Sequence, residues 1–282
     1  MRVERVDLTA LGVVLPSDRV GMVFAQPFCC LTAVEPYRCT PETKDRQLSV
    51  LTDTLNVSRA APHQVAKTHF TILPEYSIPG VEGIVLIQTG LAANEWPSGT
   101  VVIGGTDALS KSDFSTLADQ PNTYLDKAGN NLTRVANNEW VNCNIIWVKA
   151  ADGSLHRWLQ PKLFPAWPEQ NVKYEEMFQG ASVFTFRGPL ENGSQYRFTS
   201  LICFDWIATV SNQKAWRWSI SDLNVQATEA AAEISLSWFF VIQHNSKPSH
   251  RTFMIEVPSF FDQSVLQRHM LRRDSGSVKA VS

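Results

Sequence analysis

Apolar residues recur along this chain with two distinct periods. Between Pro41 and Ala60, Leu48, Leu51 and Leu55 fall at helical spacing behind a Pro-Glu pair, which predicts a helix opened by proline. Residues 83–93 carry the same period and predict a second helix. Shorter apolar runs of strand length occupy residues 20–26, 69–73 and 99–105, the last closed by Gly104 and Gly105. The strongest hairpin signal joins Cys143–Lys149 to residues 154–159 through Asp152-Gly153. Residues 182–186 and 196–203 form another strand pair, linked by the turn-rich segment 188–193. Farther on, residues 227–233 predict a helix and residues 234–243 a buried strand. Strands that alternate with helices predict an α/β layer fold. Residues 106–139 are rich in Asp, Asn, Ser and Thr without a steady period, so they read as a long irregular connection over a site. No composition break divides the chain. It reads as an N-terminal extension over 1–19, one domain over 20–270 and a charged, small-residue tail over 271–282.

Composition narrows the classes. With 282 residues, 44% hydrophobic and 18% charged, the chain can bury a large core. A formal charge of -2 supplies no basic field, so nucleic acid is not an expected direct ligand. No run of about 20 apolar residues occurs, so no membrane span is expected. Arg2 and Arg5 precede a short apolar stretch, but Glu4 and Asp7 interrupt it, and it does not read as a secretory signal. Five scattered cysteines point to reduced thiols and a cytoplasmic protein. Cys29, Cys30 and Cys39 lack the paired spacing of a zinc site, and no metal is expected.

Chemistry concentrates at three places where an apolar strand meets a turn: Glu75 after Leu73-Pro74, Lys162 after Gln160-Pro161, and Cys203 after Leu201-Ile202. A carboxylate, an ammonium and a thiol together suffice for covalent acyl transfer without histidine. Singly, each has a plainer reading: a solvated turn glutamate, a surface lysine with Lys173 as a rival, an inert core thiol. A Cys203–His244 nucleophile pair is the competing chemistry, although no third orienting residue accompanies it.

The order Leu73-Pro74-Glu75, then Lys162-Leu-Phe-Pro-Ala-Trp-Pro-Glu169, then Leu201-Ile-Cys203-Phe-Asp205 resembles the Glu-Lys-Cys triad of the nitrilase superfamily of carbon-nitrogen hydrolases. The resemblance covers roughly residues 20–250 in topology and is close only at these segments. It implies a four-layer α-β-β-α sandwich, with Glu75 as base, Lys162 as oxyanion-stabilising cation and Cys203 as nucleophile. It further implies that Glu169 and Phe204 support the substrate, that no cofactor takes part, and that the protein is a homo-oligomer. The expected substrate is a small amide or nitrile. Where the family continues with an Arg and a Pro-Glu pair, this chain has Trp206-Ile-Ala-Thr-Val210, and its C-terminal part is short. Those departures motivate a second expectation, a catalytically silent nitrilase-like module that acts with a partner protein, for example in a defence system.

Overall fold

The structure, a computed structural model, describes residues 2–61, 65–126, 135–170, 172–203, 205 and 238–244. The chain opens with β1 (Arg2–Asp7), a 3-10 turn, β2 (Gly21–Phe24), α1 (Pro41–Ala60) and β3 (Thr68–Ile72). There follow α2 (Gly80–Ala92), β4 (Thr100–Gly105), β5 (Leu109–Ser110), α3 (Lys111–Ala118) and β6 (Thr123–Tyr124). Then come β7 (Glu139–Val141), β8 (Cys143–Lys149), β9 (Leu155–Pro161), the one-turn α4 (Trp167–Gln170), β10 (Glu176–Met177), β11 (Ser182–Pro189), β12 (Gln195–Ile202) and β13 (Trp238–Ile242).

The main sheet runs β2-β3-β4-β8-β9-β6, and a second runs β1-β11-β12-β13. β2, β3 and β4 pair in parallel, β8 and β9 antiparallel. Because β3 and β4 are covered on both faces, every residue in them is buried; β4 accordingly shows no polar alternation, and of the buried polar residues of β3, Thr71 Oγ1 donates to Ser58 Oγ at 2.9 Å and His69 Nδ1 accepts from the Gly21 N–H at 3.1 Å. Val102, Trp147 and Leu159 point to one face of the main sheet and pack with Leu51 and Leu55 of α1 and Ile84, Ile87 and Leu91 of α2. Phe70, Ile103, Ile146 and Trp158 point to the other and pack with Phe186, Phe198 and Phe240 of the second sheet. The result is a mixed α/β arrangement of helices, sheet and sheet.

Three readings change. Residues 2–7 of the presumed N-terminal extension form β1 and pair in parallel with β11, from Arg2↔Ser182 to Asp7↔Arg187. The described residues of the segment 106–139, which are 106–126 and 135–139, contain β5, α3, β6 and the start of β7 where an irregular connection was expected. Helix α3 is capped by Ser110, whose Oγ accepts from the Asp113 N–H at 3.1 Å, and its eight residues are too few to display a period. Helix α2 starts at Gly80, three residues before the expected 83. There φ is +46° and the Asp107 carboxylate accepts the Gly80 N–H at 2.6 Å, so the turn chemistry of a glycine sets the boundary. The expected helix at 227–233, the first four residues of the strand over 234–243, and the tail lie outside the described residues.

Candidate active site

β3, β9, β12 and β13 all end at the same edge of the two sheets, and the residue or turn that follows each one carries a polar group into a shared space. Carboxyl ends of parallel strands are where α/β folds place reactive groups, because the chain must turn there and can spare its side chains from the core.

Glu75 follows β3 through Leu73-Pro74, and the Pro74 carbonyl accepts from Gly105 N–H at 3.3 Å and from Ser77 Oγ at 2.6 Å. The turn lies hard against β4. A Cβ on Gly105 would sit 2.7 Å from Glu75 Cα, so only glycine lets this loop close. Lys162 extends β9: its N–H donates to Asn142 O at 2.8 Å, and its own carbonyl accepts from Gly180 N–H at 2.8 Å. Glu169 is the third residue of α4 and accepts the Ala166 N–H at 2.5 Å, half of a capping box, so one carboxylate closes the helix and also faces the site. Cys203 takes φ +37° as it leaves β12, a left-handed turn pinned by its N–H donating to Ile242 O at 2.7 Å. That turn breaks strand alternation: Leu201 faces away from the inter-sheet core, whereas Cys203 packs into it beside Ile202.

Glu75 and Lys162 are each 1% exposed, Glu169 6% and Cys203 9%. The Lys162 ammonium directs its three protons at three carboxylate oxygens, Glu75 Oε1 at 2.8 Å and Glu169 Oε1 and Oε2 at 2.8 and 2.7 Å. Burial alone would pull the Lys162 pKa down, but Glu169 and then Glu75 outweigh it and hold the ammonium above its ordinary range. Cys203 is affected by the same groups. Burial pushes its thiol well above the usual value, the Glu75 charge adds to this, Lys162 opposes it, and a hydrogen bond to Glu75 favours the protonated form. The sulfur therefore rests as a thiol.

Of the expected site residues, Glu75, Lys162 and Glu169 meet in direct ion pairs, and Cys203 lies within their electrostatic reach. Phe204 lies outside the described residues. Lys173 is exposed, its ammonium 5.0 Å from the Tyr174 ring centroid, and does not reach the two glutamates. His244 contributes through its backbone, whose N–H donates to Glu75 Oε2 at 3.2 Å, while its ring stands edge-on to Tyr76 at 6.1 Å.

Sequence reasoning passed over three further participants. Asn142 Nδ2 donates to Glu75 Oε1 at 2.9 Å and to Glu169 Oε1 at 3.4 Å. Tyr76 donates its hydroxyl to Glu169 Oε1, and burial raises its pKa well above the ordinary phenol value, so it stays a donor. Asp205 Oδ1 accepts the N–H groups of Leu163 and Phe164 at 2.9 and 2.8 Å, which fastens the turn after Lys162 to the turn after Cys203. A signal for Asn142 was available. A hairpin centred on Asp152 pairs residues equally far from it, and 142 and 162 are each ten positions away.

Among the described residues no group of three or more His, Cys, Asp or Glu is placed to hold a metal ion. Nor is any helix among them long and apolar enough to cross a membrane. No family model matches the chain, and neither a curated protein nor a solved structure matches it.

Proposed function

We propose that this chain is a thiol hydrolase with a nitrilase-like sandwich fold that cleaves a non-peptide carbon-nitrogen bond, in an amide or a nitrile, through a covalent intermediate on Cys203. The observation that carries the reading is a buried Glu75–Lys162 pair at 2.8 Å whose charges both act on the Cys203 sulfur.

With an amide, Cys203 Sγ attacks the carbonyl carbon while its proton passes to Glu75, and the carbonyl oxygen becomes an oxyanion held by Lys162. Collapse breaks the carbon-nitrogen bond. The departing nitrogen takes the proton from Glu75 and leaves a thioester. Glu75 then accepts a proton from water as the water oxygen attacks that carbon, and the acid departs as Sγ regains its proton. A nitrile gives a thioimidate first, its nitrogen receiving the thiol proton, and two waters complete the release of ammonia and acid. Since the resting sulfur is a thiol, proton transfer to Glu75 accompanies attack, the general-base case.

An ammonia-release assay over a panel of aliphatic and aromatic amides and nitriles tests this. Wild-type protein should release ammonia from at least one class, and Cys203→Ala should fall to background while it keeps its circular dichroism. Glu75→Gln should lose about 10²-fold or more. Lys162→Met should lose about 10²- to 10³-fold. Turnover that survives Cys203→Ala overturns the reading.

A further inference from the structure

Two carboxylates share one ammonium at the centre of this site. The pairing leaves a formal charge of -1 among groups that are at most 6% exposed. A buried charge without compensation costs several kcal/mol, so neutral donors must make up the difference. Glu169 has two of its own, the Tyr76 hydroxyl and the Ala166 N–H. Glu75 has the His244 N–H on Oε2, but its other oxygen, Oε1, holds only Lys162 and the Asn142 amide among the described residues.

We propose that Asn142 is a positioning residue that holds Glu75 and Glu169 side by side and covers Glu75 Oε1 when Lys162 turns to a substrate oxyanion. Every proton of the Lys162 ammonium is already committed to a carboxylate. To hold an oxyanion it must give one up. The bond to Glu75 is its single contact there, whereas Glu169 grips it with both oxygens, so Glu75 is the partner it releases. Asn142 Nδ2, 2.9 Å from the same oxygen, then keeps that carboxylate hydrogen-bonded and in place.

The geometry fixes this role. Asn142 is the cross-strand neighbour of Lys162, tied to it by the Lys162 N–H···O bond of 2.8 Å, and is fully buried. Its amide orientation is decided by chemistry, since a flipped side chain would aim its carbonyl oxygen at two carboxylates. Among the described residues its Oδ1 has no hydrogen-bond partner. The groups that face Glu75 are Lys162 from the end of β9, Glu169 from α4, Tyr76 from its own turn, Cys203 and Asp205 beyond β12, and the His244 backbone beyond β13.

The inference rests on Glu75 as the base, and its test separates the two claims. Protein carrying ¹³C at glutamate carboxyls is titrated by NMR, with Glu75→Gln and Glu169→Gln to assign the signals. In Asn142→Leu the Glu75 signal should titrate about one pH unit higher than in wild type, a roughly tenfold gain in proton affinity. In Asn142→Asp, which sets a third carboxylate against the same ammonium, the shift should be larger. Asn142→Ser keeps a shorter donor and serves if the leucine variant does not fold; a smaller upward shift is expected. A merely structural asparagine would lower stability and leave the Glu75 titration where it is. A folded variant with that outcome overturns the proposal, whereas Glu75→Gln with full turnover would overturn only the assignment of the base.

Discussion

Cys203 is a sulfur on which two opposite charges act at once, and the balance between them can be measured. Burial and the carboxylates of Glu75 and Glu169 favour the thiol, while Lys162 favours the thiolate. Removing a favouring carboxylate and removing the opposing ammonium must therefore move the thiol in opposite directions. Glu75→Gln should lower the pH midpoint of Cys203 alkylation by iodoacetamide, and Lys162→Met should raise it. Alkylation read site by site by mass spectrometry, with Cys143 as the buried reference thiol, shows whether that pair of shifts occurs. A sulfur remote from both groups would show neither. The residue scale also holds the site's conformational cost. Tyr76 at φ +60° and Cys203 at φ +37° are non-glycine residues in the left-handed region, each worth about 1–3 kcal/mol, and both border the same cluster. Nothing in a single sequence marks such a position, because it is the surrounding hydrogen bonds that impose the dihedral.

The elements matter here mainly for where they stop. The β8–β9 hairpin sets Lys162 beside Asn142, and its turn follows from sequence chemistry: Gly153 takes φ +85°, and Asp152 Oδ1 accepts the Ser154 N–H at 2.8 Å. The turn after Lys162 depends on a residue from elsewhere. Asp205 accepts two of its N–H groups, and burial pushes the Asp205 carboxyl up to about 8 against the pull of Lys162. An acceptor is needed at that spot more than a charge. Asp205→Asn should hence be far milder than Asp205→Ala, which strands two buried donors at about 1–3 kcal/mol each. Urea unfolding at neutral pH should show the alanine variant about 2 kcal/mol or more below the asparagine variant. Equal midpoints would mean that the turn is held by other contacts.

At the scale of the molecule, the inter-sheet layer brings distant turns to one edge. Phe70 of the main sheet sits with ring centroids 5.2 Å from Phe198, 5.6 Å from Trp238 and 5.3 Å from Phe240, all of the second sheet. Gln160 crosses the same gap, donating to Ser200 O at 2.8 Å and accepting from Phe184 N–H at 2.9 Å. With both sheets locked through these contacts, Phe70→Ala should cost about 3–5 kcal/mol. It should also weaken every part of the site together, since Glu75 stands on one sheet and Cys203 on the other. Calorimetry and Cys203 alkylation followed across the same temperature range should shift in parallel. A calorimetric transition that falls while Cys203 alkylation keeps its wild-type temperature profile would show that the sulfur's surroundings do not depend on the contacts of Phe70.

Strands β2, β3, β4, β8, β9, β11, β12 and β13, the two longer helices and the hairpin were legible because each is written in a local apolar run, a period or a turn dipeptide, whereas β1, β5, β6, β7 and β10 were not. Helix α1 spans the predicted Pro41–Ala60, and β8 the predicted Cys143–Lys149. The three reactive types at strand ends were legible too, as candidates, since Glu75, Lys162 and Cys203 each break an apolar run at a turn. What the tertiary structure alone decided is who stands next to whom: Asn142 between two glutamates, Asp205 across from the turn after Lys162, β1 against β11 at a separation of 180 residues between Asp7 and Arg187. Local period reports which face of an element is buried. Hydrogen bonding between elements depends on register and sheet order, which the long-range packing of the whole chain sets.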